Sequence, residues 1–322
     1  MSYIGAETPT VELVTVRPVR SHRVLRRLIK RPVAVVALCV ILTFYMAGIL
    51  APWAAPHGFR ETDLRNPFAG PSIEHPFGTD RLGRDQFSRI IWSAQTTVFI
   101  SVAAFVGGSL VLGVSAGLLS GYAGGRIDSV IMRAGDGFAS VPTILLLLLI
   151  NATLRDRVVD VFREIEDVTG IEGLVSSGAP SYFLVSVAFA IFAWVGTARL
   201  IRSQTLALRE SDYVLAARAA GASLWLILGR HLLPNVSPLI VVGVTAGLGA
   251  AGLAEIGLTF LGIGVQAPHP SFGVMIFEGS GLTNLRAHPQ LMLVPAAVIV
   301  SLFLSFNLLG DVLTDIMSPR RR

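Results

Sequence analysis

Charge is scarce in this 322-residue sequence: Asp, Glu, Lys and Arg make up 15% of it, against 52% hydrophobic residues and a mean hydropathy of +0.66. That balance excludes an ordinary water-soluble globular domain. Cysteine is nearly absent. The single Cys39 excludes a disulfide or a cysteine-cluster metal site within the chain. Lysine is also present once, as Lys30, with no glycine at the spacing of a Gly-x-x-x-x-Gly-Lys-Ser/Thr phosphate loop. The chain therefore has no P-loop of its own.

Long uncharged runs fill the space that charge leaves. Pro32–Pro56, Ile90–Gly125, Gly137–Leu154, Gly173–Ala198, His231–Ala254 and Ala287–Gly310 contain no Asp, Glu, Lys or Arg. A bilayer-spanning helix needs about 20 apolar residues, so six spans are expected, the third starting earlier, near Ser129. Their length and lack of alternation exclude barrel strands, and helices satisfy the backbone inside lipid. The fold class is an all-α polytopic membrane protein with six transmembrane helices. No small-residue cleavage site follows the polar first 31 residues, so no cleavable signal peptide is expected.

Arginine sets the orientation. With the N-terminus inside, the inner segments hold 17 basic residues, seven of them in Arg17–Arg31, and the outer loops hold 9. The positive-inside rule then puts both termini in the cytoplasm. The formal net charge of +5 belongs to this topology, and no nucleic-acid partner is needed to explain it. The resulting plan is a cytoplasmic tail over 1–31, a first transmembrane helix over 32–56, an extracytoplasmic loop over 57–93 and a helical core over 94–318. That core carries an extracytoplasmic insertion at 153–180 and a cytoplasmic loop at 201–234, and a basic tail follows at 319–322.

The cytoplasmic loop holds the segment YVLAARAAGASLWLILGRHLLPN, Tyr213–Asn235, which is too polar to enter lipid. A short helix is expected from Asp212 to Ala220, with Asp212 as N-cap and Gly221 as its stop. A second is expected from Ser223 toward Pro234. The face with Tyr213, Val214, Leu215, Ala217 and Ala220 is too apolar to stand in water without a cover, supplied either by the chain's own bundle or by a partner.

The spacing of Ala216, Ala217, Gly221, Leu233 and Pro234 resembles the cytoplasmic "EAA" loop of bacterial ABC-importer permeases. Four further stretches resemble the dipeptide, oligopeptide and nickel branch of that family, in the family's order: HPFGTDRLGRDQFSRI (His75–Ile90), GGRIDSVIMRAGDGFASVP (Gly124–Pro142), EIGLTFLGIGVQAPHPSFGVMI (Glu255–Ile276) and FNLLGDVLTDIMSPRRR (Phe306–Arg322). Together they span most of the chain, and the best match is the C-type permease of a peptide importer. The resemblance implies the type I ABC importer permease fold in the bacterial inner membrane. It also implies several partners: a B-type permease, two ATP-binding subunits and an extracytoplasmic substrate-binding protein. The chain itself would bind no cofactor, ATP and Mg²⁺ belonging to the ATPase subunits. No catalytic residue and no metal ligand are read from the sequence. The substrate implied is a peptide, with nickel or another small solute of the same branch as the alternative and a secondary transporter as the remoter one.

Within this frame the coupling residues are Glu210, Asp212, Tyr213, Leu215, Ala216, Ala217, Arg218, Gly221 and Pro234. Leu215 stands where the family has glutamate, which leaves Glu210 or Asp212 to supply a charge toward the ATPase. Glu255 and Asn307 are the candidates for the translocation path or the permease seam. Glu255 is the one acid set among apolar residues, and a charge at a helix centre costs about 2.5–3.5 kcal/mol on insertion scales. It faces either the path or the seam, or else it is an internal carboxyl bonded to neighbouring hydroxyls. Arg81, Arg84 and Asp85 read as structural groups of the outer loop. Gly113-Val-Ser-Ala-Gly117 matches the Gly-x-Ser-x-Gly pattern of hydrolases, but it lies in a span with no histidine at membrane depth. Gly113, Gly117 and Gly121 read instead as a ladder for close helix packing. In the insertion, Leu154–Val168 has helical apolar spacing and is expected to form an outer helix with Val158, Val161, Phe162 and Ile165 facing inward.

Overall fold

The computed structural model describes residues 26–266 and 268–317. Residues 1–25 of the N-terminal tail and the expected C-terminal tail 319–322 lie outside the described residues. Among those described, the regular elements are helices, with one isolated β-bridge between Thr79 and Asp85.

Five helices are long and apolar enough to cross a membrane: Pro32–Ile49, Gln86–Ala123, Ala179–Leu208, Leu224–Phe260 and Gln290–Met317. In chain order these are spans 1, 2, 4, 5 and 6. Span 1 starts with proline at its first turn, where the missing N–H costs nothing. Span 2 starts at Gln86, inside the expected 57–93 loop and ahead of the apolar run. Asp85 caps it by accepting from the Ser88 amide, and its one charge in this turn, Arg89, is matched by acids of the outer loops. A π-helical stretch, Phe105–Gly113, interrupts span 2 midway.

Span 3 departs from expectation. Helix Gly125–Ser140 and helix Thr143–Thr169 meet at a bend of 84° and make a sixth span only when taken as one broken element. The cause is Pro142, which removes an amide and forces Val141 into an extended conformation, φ −94° and ψ 130°. The expected outer helix is likewise not a separate element. Leu154–Val168 is the far end of Thr143–Thr169, which Gly170 closes in the left-handed region at φ +68°. Phe162 is half-buried against Phe183, as expected. Val161, Ile165 and Val168 instead face outward, 53%, 40% and 80% exposed, so the inward stripe is Val158, Val159 and Phe162.

Spans 2 and 4 cross on glycine. A Cβ at Gly108 would stand 2.5 Å from the Ala190 carbonyl oxygen, and one at Gly113 would stand 2.7 Å from the Thr197 Cβ. At Gly117 it would meet Ala198 and Ile201, both at 2.7 Å, and at Gly121 the Thr205 Cβ at 2.6 Å. The glycine ladder is thus a helix-packing seam, and Ser115 lies within span 2 with no strained turn for a nucleophile. Three apolar clusters complete the core. One joins spans 1, 2, 5 and 6 around Phe44, Phe272 and Phe306. A second joins spans 2, 4 and 5 to Leu147 of the bent helix. The third lies beneath the loop between spans 4 and 5, where Val114, Leu118, Ile201, Ile227 and Leu232 surround Val214.

Candidate coupling and translocation surfaces

The loop between spans 4 and 5 folds as helix Asp212–Ala219, joined through Gly221 to span 5. Its N-cap is Ser211, not Asp212 as expected. The Ser211 carbonyl accepts from the Val214 and Leu215 amides, and Asp212 takes the first helical position, where its charge complements the helix dipole. The C-terminus closes with the paired bonds of a Schellman motif: the Ala222 amide donates to the Ala217 carbonyl and the Gly221 amide to the Arg218 carbonyl, both at 3.0 Å. Gly221 has φ +78°, the left-handed conformation that this closure requires and that a side chain disfavours.

The second short helix is absent as a separate unit. Ser223 caps Leu224–Leu226, a π-helical turn Ile227–Leu232 follows, and the chain runs without a break into Leu233–Phe260. Pro234 sits in the first turn of that last α-helical section, so it begins regular span 5 geometry and does not end a loop helix. The wider π turn absorbs the residues around Gly229 that a loop had been expected to hold.

This helix has two unlike sides. Val214 is fully buried in the third cluster and Ala217 is half-buried; sealing a valine in this way is worth about 1.5–3 kcal/mol. Arg218, itself exposed, lays its guanidinium 5.2 Å from the centre of the Tyr122 ring at the end of span 2. Glu210 pairs with its neighbour Arg209 at 2.9 Å. Tyr213, Leu215 and Ala216 are exposed, and so are Trp225, 74% accessible, and Leu226. Of the residues expected to couple, then, Tyr213, Leu215 and Ala216 form an outward apolar surface, whereas Arg218 and Gly221 hold the helix in place. Trp225 was missed. A tryptophan set just after a serine cap, in a segment too polar to span, was the available signal.

Glu255 and Asn307 are not brought together. Glu255 is fully buried inside the chain and accepts from three hydroxyls, those of Thr97 at 2.8 Å, Ser271 at 2.9 Å and Thr259 at 3.0 Å. This matches the reading of an internal carboxyl bonded to neighbouring hydroxyls. Asn307 is exposed on span 6, donates to the Phe303 carbonyl and borders a shallow groove with Ala246, Ala250 and Leu253 of span 5.

On the outer side, the basic signature folds into a buried four-charge cluster. Arg84 reaches Asp80 at 2.6 Å and Glu278 at 3.0 Å; Arg89 reaches Asp80 at 2.5 Å and Glu278 at 2.7 Å. Burial alone would raise the Glu278 carboxyl, but Arg89 and Arg84 outweigh it and hold the group below the usual carboxylate range. Arg84 and Asp85 are structural, as read; Arg81 stays exposed. Sequence reasoning missed Asp80, Arg89 and Glu278, because Glu278 lies far along the chain on helix Phe272–Gly279.

Comparison with known proteins agrees with this architecture. The family profile described as binding-protein-dependent transport system inner membrane component matches residues 113–322. A second, described as the N-terminal TM domain of oligopeptide transport permease C, matches residues 20–71. The chain is 34% identical over 298 residues to the dipeptide transport system permease protein of Bacillus subtilis, covering 92% of this chain and 85% of the relative. It is 35% identical over 289 residues to the oligopeptide transport system permease protein of the same organism, covering 90% and 86%. Against the oligopeptide transport system permease protein of Mycobacterium tuberculosis it is 30% identical over 305 residues, covering 94% and 96%. A bundle of apolar helices with a helix seated at one end, matched by profile over most of its length, thus belongs to the family of binding-protein-dependent transport system inner membrane components.

Proposed function

We propose that this chain is the C-type permease subunit of an ATP-driven peptide importer in the bacterial inner membrane, with both termini in the cytoplasm. Its partners in this reading are a B-type permease, two ATP-binding subunits and an extracytoplasmic substrate-binding protein. The observation that carries the reading is the two-sided helix Asp212–Ala219. Val214 anchors it in the bundle, and Tyr213, Leu215, Ala216 and Trp225 present an apolar surface outward. Exposed apolar surface rimmed by charge marks a protein contact, and here it lies on the arginine-rich side of the chain.

The ATPase subunits would close on ATP and Mg²⁺, push against this surface and so reorient spans 4 and 5, to which the helix is joined at its two ends. The chain needs no cofactor for that role. It makes half of a path, and the B-type subunit supplies the other half. Peptide is favoured as cargo by the names of the relatives. The test is co-purification of the assembled complex and uptake in proteoliposomes, with mass spectrometry of the ligand held by the binding protein. Uptake of di- or oligopeptides that requires all components is expected. Ligand that is solely a metal chelate or another small solute overturns the peptide assignment, and uptake driven by an ion gradient without ATP overturns the importer assignment.

A further inference from the structure

The first extracytoplasmic loop gathers two histidines and an aspartate. His57 follows span 1, His75 opens the basic signature, and Asp85 caps span 2. One ring nitrogen from each histidine and a carboxylate oxygen of Asp85 lie within 4.8 Å of one another. The His75 Nδ1 to Asp85 Oδ1 distance is 3.1 Å, and the two imidazole rings are centred 5.2 Å apart. Zn²⁺ binds nitrogen at about 2.0–2.1 Å and carboxylate oxygen at about 2.0–2.2 Å, so neighbouring ligands of a tetrahedral site stand about 3.3 Å apart. The His75–Asp85 pair already has that spacing, and the His57 nitrogen lies within 4.8 Å of both.

The surroundings hold these side chains as ligands need to be held. Asp85 Oδ2 accepts from the Ser88 amide at 2.7 Å, which fixes the carboxylate while Oδ1 points at His75. Ser88 also accepts from the His57 amide through its hydroxyl, at 3.0 Å, and the Trp92 indole N–H donates to the His57 carbonyl at 3.2 Å. One turn of span 2 therefore positions both Asp85 and His57. The His75 amide donates to the Ser72 hydroxyl at 3.0 Å, fixing the third residue from the loop side. The bond to Asp85 is an outer-shell bond that orients a ligand side chain; the others fix the backbone from which the two imidazoles project. Glu61 Oε2, 3.7 Å from His57 Nδ1 and 64% exposed, stands at the open side as a fourth ligand or leaves that place to water. The His57 and His75 side chains are 25% and 18% exposed, enough for an ion to enter from outside.

We propose that His57, His75 and Asp85 form an extracytoplasmic site for a divalent transition metal, with Zn²⁺ as the ion of best fit. Two imidazoles and one carboxylate are a borderline donor set, which Zn²⁺ and Co²⁺ accept and which Mg²⁺ and Ca²⁺, seeking oxygen, do not. The ion would tie the end of span 1 to the start of span 2 across a loop that has little regular structure. The sequence had shown no metal set, because the three ligands come from three separate turns.

Untagged full-length protein in detergent, treated with chelator, is titrated with Zn²⁺ by calorimetry and with Co²⁺ by absorbance. One equivalent is expected to bind, with visible bands of tetrahedral Co²⁺ and a raised thermal midpoint, as a ligand specific to the folded state produces. His57→Ala, whose ring makes no short hydrogen bond, is expected to fold normally and lose at least about tenfold in affinity together with the thermal shift, and Asp85→Asn to lose at least as much. His75→Ala removes a structural bond as well, so if it fails to fold, His57→Ala decides. Absence of stoichiometric binding overturns the proposal. So does binding that His57→Ala leaves unchanged, since the ion then sits elsewhere.

Discussion

Arg218 lays its guanidinium over Tyr122, so the cytoplasmic helix is fastened to the end of span 2 as well as being joined in sequence to spans 4 and 5. The cation sits 5.2 Å from the ring centre, and such a contact is worth about 0.5–1 kcal/mol where exposed. Tyr122→Ala should leave membrane insertion unchanged but loosen the fastening. More ATP should then be hydrolysed per peptide imported, by about twofold, in proteoliposomes. An unchanged ratio would mean that span 2 takes no part in transmission.

The outward and inward sides of the same helix separate docking from folding. Ala216→Glu puts a charge on the exposed surface and should abolish ATPase association while the chain folds and pairs with its partner permease. A charge at half-buried Ala217 should damage the seat as well. Gly221→Pro demands φ near −65° where the chain has +78°, and should disrupt the helix end. Co-purification of ATPase subunits with each variant is the readout, and full retention by Ala216→Glu would remove the docking assignment.

Glu255 should behave as an internal hydrogen-bond acceptor. Glu255→Gln keeps the shape and lets the three hydroxyls rearrange, so complex yield and uptake should stay within about twofold of wild type. Glu255→Leu strands Thr97 and Ser271, and a buried polar group left without a partner costs about 1–3 kcal/mol. Thermal melts in detergent check both. A Gln variant that folds normally yet transports nothing would restore the path reading.

The charge cluster of Asp80, Arg84, Arg89 and Glu278 should make the fold sensitive to acid. Removing one member of a buried pair costs about 3–5 kcal/mol, so Arg89→Ala should lower yield and thermal midpoint sharply. The Glu278 carboxyl is held below its ordinary value. Its contribution is therefore complete above an ordinary glutamate pKa of about 4.3 and is lost as pH falls below that through the depressed folded value. The melting midpoint of wild type should fall across that acid window, and that of Glu278→Gln should fall less steeply.

Val161 and Val168 expose apolar surface at the far end of helix Thr143–Thr169, beside Ile165. Val161→Asp with Val168→Asp should fold, because neither side chain is covered, and should weaken binding-protein affinity by about tenfold if a protein caps this strip. Unchanged affinity measured by surface capture would assign the strip to lipid.

Legibility followed the range of the physics involved. The apolar runs and the glycine ladder depend on local composition or on spacing along one helix, and the spans and a close-packing face on span 2 could be read from them; that span 4 meets that face could not. The bend at Pro142 was readable in principle, but the apolar run continues across it and hid the break. The π turn Ile227–Leu232 could not be read, because a π turn has no distinctive spacing over so short a stretch. Arg84 was read as a structural group, yet its partnership with Glu278 depends on a helix nearly two hundred positions away. Glu255 was visible as an anomaly, and its three hydroxyl donors come from span 2, span 5 itself and the loop that follows.

The glycine seam between spans 2 and 4 also limits how the molecule can move. From Gly108 to Gly121 the two backbones approach so closely that no methyl group fits between them. Closely packed surfaces of this kind resist gradual sliding. In the proposed coupling role, a push on helix Asp212–Ala219 would therefore tilt the two spans together as a single strut, with little slippage of one along the other.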